Sequence, residues 1–87
     1  MEKVMTIKNR MGLHARPAAM FVQEAGKYKS QIYVVKDGLQ VNGKSVMGLM
    51  LLAAESGSKL TIKADGPDEA KAIEALEKLF ERRFDEP

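Results

Sequence analysis

Gln31-Ile32-Tyr33-Val34-Val35-Lys36-Asp37-Gly38-Leu39-Gln40-Val41 decides the fold. Gln31 to Lys36 is rich in β-branched residues, which suit a pleated, half-buried surface. Asp37-Gly38 follows, and both positions tolerate the positive φ of a tight hairpin turn. Leu39 to Val41 is then a short returning strand. A two-stranded hairpin alone is marginal in water, so the flanking chain must add strands and cover one face.

Upstream, Lys3 to Lys8 reads as a strand with Met5 and Ile7 inward and Thr6 and Lys8 outward. Asn9 to Leu13 is a loop containing Gly12. A helix is expected from Ala15 to Ala25, with Pro17 in its first turn, where a missing N–H costs nothing. Ala15, Ala18, Ala19, Val22 and Ala25 are expected to form its inward face. Gly26 stops it.

Downstream, Asn42-Gly43 marks a turn. Ser45 to Ala53 reads as a short helix with Ser45 at its N-cap and Val46 and Leu49 inward. Lys59 to Ala64 alternates, with Leu60 and Ile62 inward. Gly66-Pro67-Asp68-Glu69 is expected to open the last helix with proline at its first position. Its stripe is Ala70, Ile73, Leu76, Phe80 and Phe84, helped by Leu79, and Glu74 and Lys78 form an i,i+4 pair. Asp85-Glu86-Pro87 reads as a frayed tail. Polar Thr6, Tyr33 and Thr61 would lie on an open face of the sheet. The element order β-α-β-β-α-β-α predicts an α+β fold. One antiparallel sheet in the order 1-4-2-3, with three helices on one face, buries each stripe.

At 87 residues the chain reads as one small domain, 1–87. It has no cysteine to staple a weak core, which fits a reducing compartment. Met1-Glu2-Lys3 lacks the apolar run of a signal peptide. The longest apolar stretch, Leu49 to Ala54, is far too short to span a bilayer. A cytoplasmic protein without membrane insertion is expected. Net charge is only +2 but uneven. Residues 1–36 carry seven basic and two acidic side chains, whereas 65–87 carry four basic and eight acidic. The basic N-terminal part would draw anions or acidic partners. Nucleic acid is disfavoured, because there is neither a dense Lys/Arg cluster nor an aromatic RNA-binding motif.

The chemistry concentrates in Gly12-Leu13-His14-Ala15-Arg16-Pro17-Ala18. His14 is the sole histidine and stands at the expected helix start, where free N–H groups favour an anion. Arg16 can donate charge-assisted hydrogen bonds to the same anion. A neutral imidazole ring nitrogen is a nucleophile that can take a phosphoryl group. A phosphate there could be bound or carried covalently. With no second histidine, cysteine or paired carboxylates nearby, neither a metal site nor a self-sufficient hydrolase fits. No cofactor is expected. The residues suit a protein that accepts and passes on a group while others supply catalysis. Met20, Phe21, Met47 and Met50, with Met11 beside them, are expected to form a flexible apolar docking patch. The alternative for each is ordinary core. Ser45, an N-cap, could also take a phosphate, whose charge a helix start tolerates.

These motifs resemble those of HPr, the histidine-containing phosphocarrier family of the bacterial sugar phosphotransferase system. Gly12 to Ala18 resembles its active-site signature, and Gly43-Lys44-Ser45-Val46-Met47-Gly48-Leu49-Met50 its regulatory-serine signature. The resemblance covers essentially the whole chain. It implies an open-faced β-sandwich. It implies that His14 takes a phosphoryl group at its δ1 nitrogen from phospho-enzyme I, charged by phosphoenolpyruvate, and gives it to sugar-specific IIA domains. Arg16 would stabilise the phosphate. Ser45 matches the position modified by HPr kinase/phosphorylase in many Gram-positive bacteria, where the modified protein can bind a transcriptional regulator. The resemblance suggests a monomeric carrier, not an enzyme. Two alternatives are a carrier of the nitrogen-related phosphorelay and a regulatory binding module that uses Ser45 and the methionines. Leu51 and Ala53 depart from the small or polar residues common after the second signature.

Overall fold

The structure is a computed structural model that describes residues 1–86. Its elements are β1 (Glu2–Thr6), α1 (Ala15–Ala25), β2 (Gln31–Lys36), β3 (Leu39–Asn42), α2 (Val46–Leu51), β4 (Lys59–Asp65) and α3 (Glu69–Glu81). The strands form one sheet in the order β1-β4-β2-β3, with every neighbouring pair antiparallel. The fold is an α+β open-faced sandwich.

Register follows from the alternation in the sequence. Val34 stands opposite both Ile62 and Val41, Ile32 opposite Ala64, and Met5 opposite Leu60. All seven side chains are buried, and they form the helix-facing side of the sheet. A shift of one residue would turn this set toward water, so burial fixes the pairing. On the opposite face Val4, Thr61, Val35 and Gln40 stand in one rank across the sheet. Thr6, Tyr33 and Thr61 are only partly buried, as expected for that face.

α1 has the expected span, but its inward face is rotated. Pro17, Ala18, Phe21 and Ala25 are buried, whereas Ala15 is exposed and Ala19 and Val22 are half-buried. Phe21 retains only 1% of its surface. The ring removes far more apolar area from water than an alanine methyl does, so the helix turns to bury it. Phe21 meets Phe80 of α3 edge-on, with centroids 6.2 Å apart, and Phe80 meets Phe84 at 5.0 Å. Edge-to-face rings add about 0.5–1.5 kcal/mol per pair beyond their burial.

The start and end of α3 also differ from expectation. Pro67 lies in the turn before the helix, and Asp68 is the N-cap. The Asp68 carboxylate does not cap α3. It accepts hydrogen bonds from the Ser30 hydroxyl at 2.5 Å, the Lys29 N–H at 2.9 Å and the Ser30 N–H at 3.0 Å. These donors, the Ser30 hydroxyl foremost, hold its carboxyl down to about 2. Three donors outcompete the helix end for one carboxylate. Ala70 is exposed, and the stripe is Ala72, Ile73, Leu76, Leu79 and Phe80. The Glu74–Lys78 pair forms at 3.4 Å.

Phe84 is buried, yet it is not part of α3. Arg83, Phe84 and Asp85 take φ of 54°, 51° and 55°, a left-handed turn. Each such L-residue costs roughly 1–2 kcal/mol. Burial of the Phe84 ring and the Arg82–Asp85 ion pair at 3.1 Å oppose that cost. Asp85 and Glu86 are therefore not a frayed tail. The turn pairs Asp85 with Arg82 and folds Glu86 back against the loop before α1, while Pro87 lies outside the described residues.

Candidate functional site

The loop from Asn9 to Leu13 sets the position of His14. The Gly12 N–H donates to the Asn9 carbonyl at 3.2 Å, and the Leu13 N–H donates to the Ala54 carbonyl at 2.8 Å. The buried Asn9 amide donates from Nδ2 to the Gly12 carbonyl. Gly12 has φ 72°, and a Cβ there would collide with the Ala54 carbonyl oxygen and lie 3.0 Å from Glu55 Cα. Only glycine combines that angle with that approach. Leu13 is buried, which anchors the last loop residue in the core.

His14 is the N-cap of α1, with extended backbone (φ −81°, ψ −172°) and an exposed side chain. Its ring makes no capping bond, so neither ring nitrogen is committed to the helix. The first intrahelical bond runs from the Ala18 N–H to the His14 carbonyl at 3.0 Å. The Ala15 and Arg16 N–H groups thus have no intrahelical acceptor, and Pro17 has no N–H at all. The first turn carries no acidic residue. The helix end is left open to an external anion.

Arg16 is exposed and tied back. Its Nη1 donates to the Phe84 carbonyl at 3.2 Å, which restrains the guanidinium and leaves its other N–H groups to point elsewhere. Arg10, Met11, His14, Arg16 and Glu86 line one open depression of about 580 Å³. Two guanidiniums and one imidazole therefore share a space large enough for a phosphoryl group. Arg10 and Glu86 were not singled out from the sequence. Arg10 sits in a loop whose course propensities do not specify, and Glu86 arrives through the left-handed turn.

A second depression of about 620 Å³ adjoins the first. Arg10, Met11, Leu13 and His14 line it together with Met50, Ala53, Ala54, Glu55 and Ser56. The structure thus brings Met11 and Met50 beside His14. Met11 is 72% exposed and Met50 42%. Met47 on α2 is 80% exposed, while Met20 is half-buried against the core. Phe21 does not belong to this surface, because its ring lies in the core between α1 and α3. Leu51, absent from the expected patch, is 72% exposed at the end of α2. Its large side chain stands where the helical stripe gives no inward position, and that offset was readable in the sequence.

Ser45 is the N-cap of α2. Its Oγ accepts from the Gly48 N–H at 3.0 Å. Leu49, fully buried one residue later, fixes the helix against the core despite Gly48. Ser45 itself is only partly buried. A phosphate on its oxygen would sit beside the free N–H groups of that first turn.

Comparison with known proteins fits this arrangement. Residues 1–82 match the family described as the PTS HPr component phosphorylation site. The chain is 48% identical to the phosphocarrier protein HPr of Treponema pallidum, covering 97% of this chain and 96% of that protein. It is 52% identical to the HPr-like protein Crh of Halalkalibacterium halodurans, over 93% of this chain and 96% of that protein. Among solved structures, HPr-C-His from Thermoanaerobacter tengcongensis superposes with a TM-score of 0.96 at 50% identity. That match covers 100% of this chain and 98% of the other. With both signatures, the sheet order and the full-length similarity in agreement, the chain belongs to the HPr phosphocarrier family of the phosphotransferase system.

Proposed function

We propose that this single-domain chain accepts a phosphoryl group on His14 from phospho-enzyme I and passes it to sugar-specific IIA domains. The observation that carries this reading is the exposed, uncommitted imidazole of His14 at the start of α1, in one depression with Arg10 and Arg16. The ring nitrogen attacks the donor's phosphorus. Arg16 and the Ala15 and Arg16 N–H groups then balance the oxygens' charge. Open exposure suits a relay, because both donor and acceptor must reach the ring. The chain supplies the group that carries, and its partners supply the catalysis, so it is not itself an enzyme. Met11 and Met50 beside the ring, continued by Met20, Met47 and Leu51, form the docking surface. The protein works as a cytoplasmic monomer. Among the described residues, no helix is long and apolar enough to cross a membrane.

Ser45 is a regulatory site for HPr kinase/phosphorylase, and its modified form is the one a transcriptional regulator recognises. The similarity to the HPr-like protein Crh favours a second reading, a regulatory binding module. A carrier of the nitrogen-related phosphorelay would use the same His14 chemistry with other partners.

Labelled phosphoenolpyruvate and enzyme I separate these readings. Acid-labile, base-stable label that disappears in His14→Ala supports the carrier. A folded wild-type protein that takes no label refutes it. With the kinase and ATP, acid-stable label lost in Ser45→Ala supports the regulatory site.

A further inference from the structure

The left-handed turn at Arg83–Asp85 aims Glu86 at the loop that carries His14. Glu86 Oε1 accepts from the Arg10 N–H at 2.7 Å, and Oε2 from the Met11 N–H at 3.3 Å. The same carboxylate lines the depression shared by His14 and Arg16. These bonds, the Arg10 N–H first, hold its carboxyl below the usual carboxylate range, so it is charged at neutral pH. The depression therefore already contains one anion. A phosphoryl group on His14 would bring a second, more highly charged one.

We propose that Glu86 is a positioning residue that tunes the phosphorylated state: its carboxylate competes with the phosphoryl oxygens for the His14 depression and raises the phosphoryl-transfer potential of phospho-His14. This rests on the reading of His14 as the phosphoryl acceptor. In the transfer, a neutral ring nitrogen of His14 forms a bond to phosphorus. The bond from phosphorus to the donor's own atom breaks, and its electron pair returns to that leaving atom. Nothing is oxidised, and the group carries its negative charge into the depression. There it meets Glu86, whose charge opposes arrival and favours departure. The carboxylate also screens Arg10 and Arg16 and orders the loop while His14 is bare.

Two readouts test this on the full chain with Glu86→Gln and Glu86→Ala. In the first, inorganic phosphate is titrated while amide NMR shifts of Arg10, Met11 and Arg16 are followed. Loss of a nearby exposed charge should tighten phosphate binding by about threefold in both variants. A purely structural Glu86 would give the opposite, because a loosened loop binds phosphate more weakly. In the second, phosphoryl exchange with phospho-enzyme I is run to equilibrium, and the phosphorylated fraction should rise in both variants by a similar factor. Unchanged or weaker phosphate binding overturns the proposal, as does an unchanged exchange equilibrium. A wild-type chain that never labels would refute the carrier reading alone, while the phosphate titration would still decide the role of Glu86.

Discussion

Arg16 Nη1 donates to the carbonyl oxygen of Phe84 at 3.2 Å, across 68 positions of sequence. One end of that bond lies in the first turn of α1. The other lies in the left-handed turn that follows α3. The guanidinium beside His14 is thus restrained by that left-handed turn, whose Phe84 ring is itself buried against Phe80.

Arg16→Ala should slow phosphoryl transfer to His14 by on the order of a hundredfold to a thousandfold, the range for losing a donor aimed at developing charge. Stability should change by no more than about 1 kcal/mol, because only one partly exposed hydrogen bond is lost. Labelling rates and urea unfolding of the same preparation check both halves. A large loss of stability would mean that Arg16 is chiefly structural.

Phe21 and Met47 should separate cleanly. Phe21→Ala removes a ring with 1% exposure and should cost about 3–5 kcal/mol. Met47→Ala, at 80% exposure, should stay within about 0.5 kcal/mol in stability. It should instead weaken binding to enzyme I. Urea midpoints and calorimetric titration would show the reverse pattern if the ring were the docking contact and the methionine the core.

Gly12→Ala should cost about 2 kcal/mol or more, since it adds a positive-φ penalty to a backbone collision with Ala54. The loop would move away from Ala54 and take His14 with it. Slower labelling together with a lowered urea midpoint is the expected result. An unperturbed midpoint would show that the Ala54 segment yields freely.

Acid stability should depend on Asp68. Its carboxyl titrates near 2 in the folded protein, against 3.8 as the ordinary value. Between those values the unfolded chain binds the extra proton, so stability rises with pH. The contribution is complete above about pH 4 and fades as pH falls toward 2. Asp68→Asn should flatten the urea midpoint's dependence on pH in that window. An unchanged slope would assign the acid sensitivity to other carboxylates, Glu86 among them, whose carboxyl is also held low.

Most of the scaffold was legible because its signals are local. β2 and the Asp37-Gly38 turn, the span of α1 and the Ser45 cap follow from β-branching, turn chemistry and capping, each acting within a few residues. The candidate site was legible only in part. His14 and Arg16 stand two apart in one motif, so they announced themselves together. Arg10 and Glu86 did not, because nothing local marks a loop arginine or a tail glutamate as facing a histidine. Phe21 misled for a related reason. An alanine-rich helix offers two adjacent faces of similar hydrophobicity, and the choice belongs to whatever packs against it.

The order of the elements, the antiparallel sheet with its buried ranks, and a lone histidine with an arginine at a helix start are all readable from the residues alone. Those features depend on short-range propensity and on periods that any single strand or helix must obey. Tertiary contacts alone settle which face of α1 is core, where α3 begins, and that Glu86 returns to the His14 loop. Each of these is a competition between distant groups. Phe80 claims the Phe21 ring, Ser30 claims the Asp68 carboxylate, and burial of Phe84 holds three residues left-handed so that Glu86 reaches Arg10.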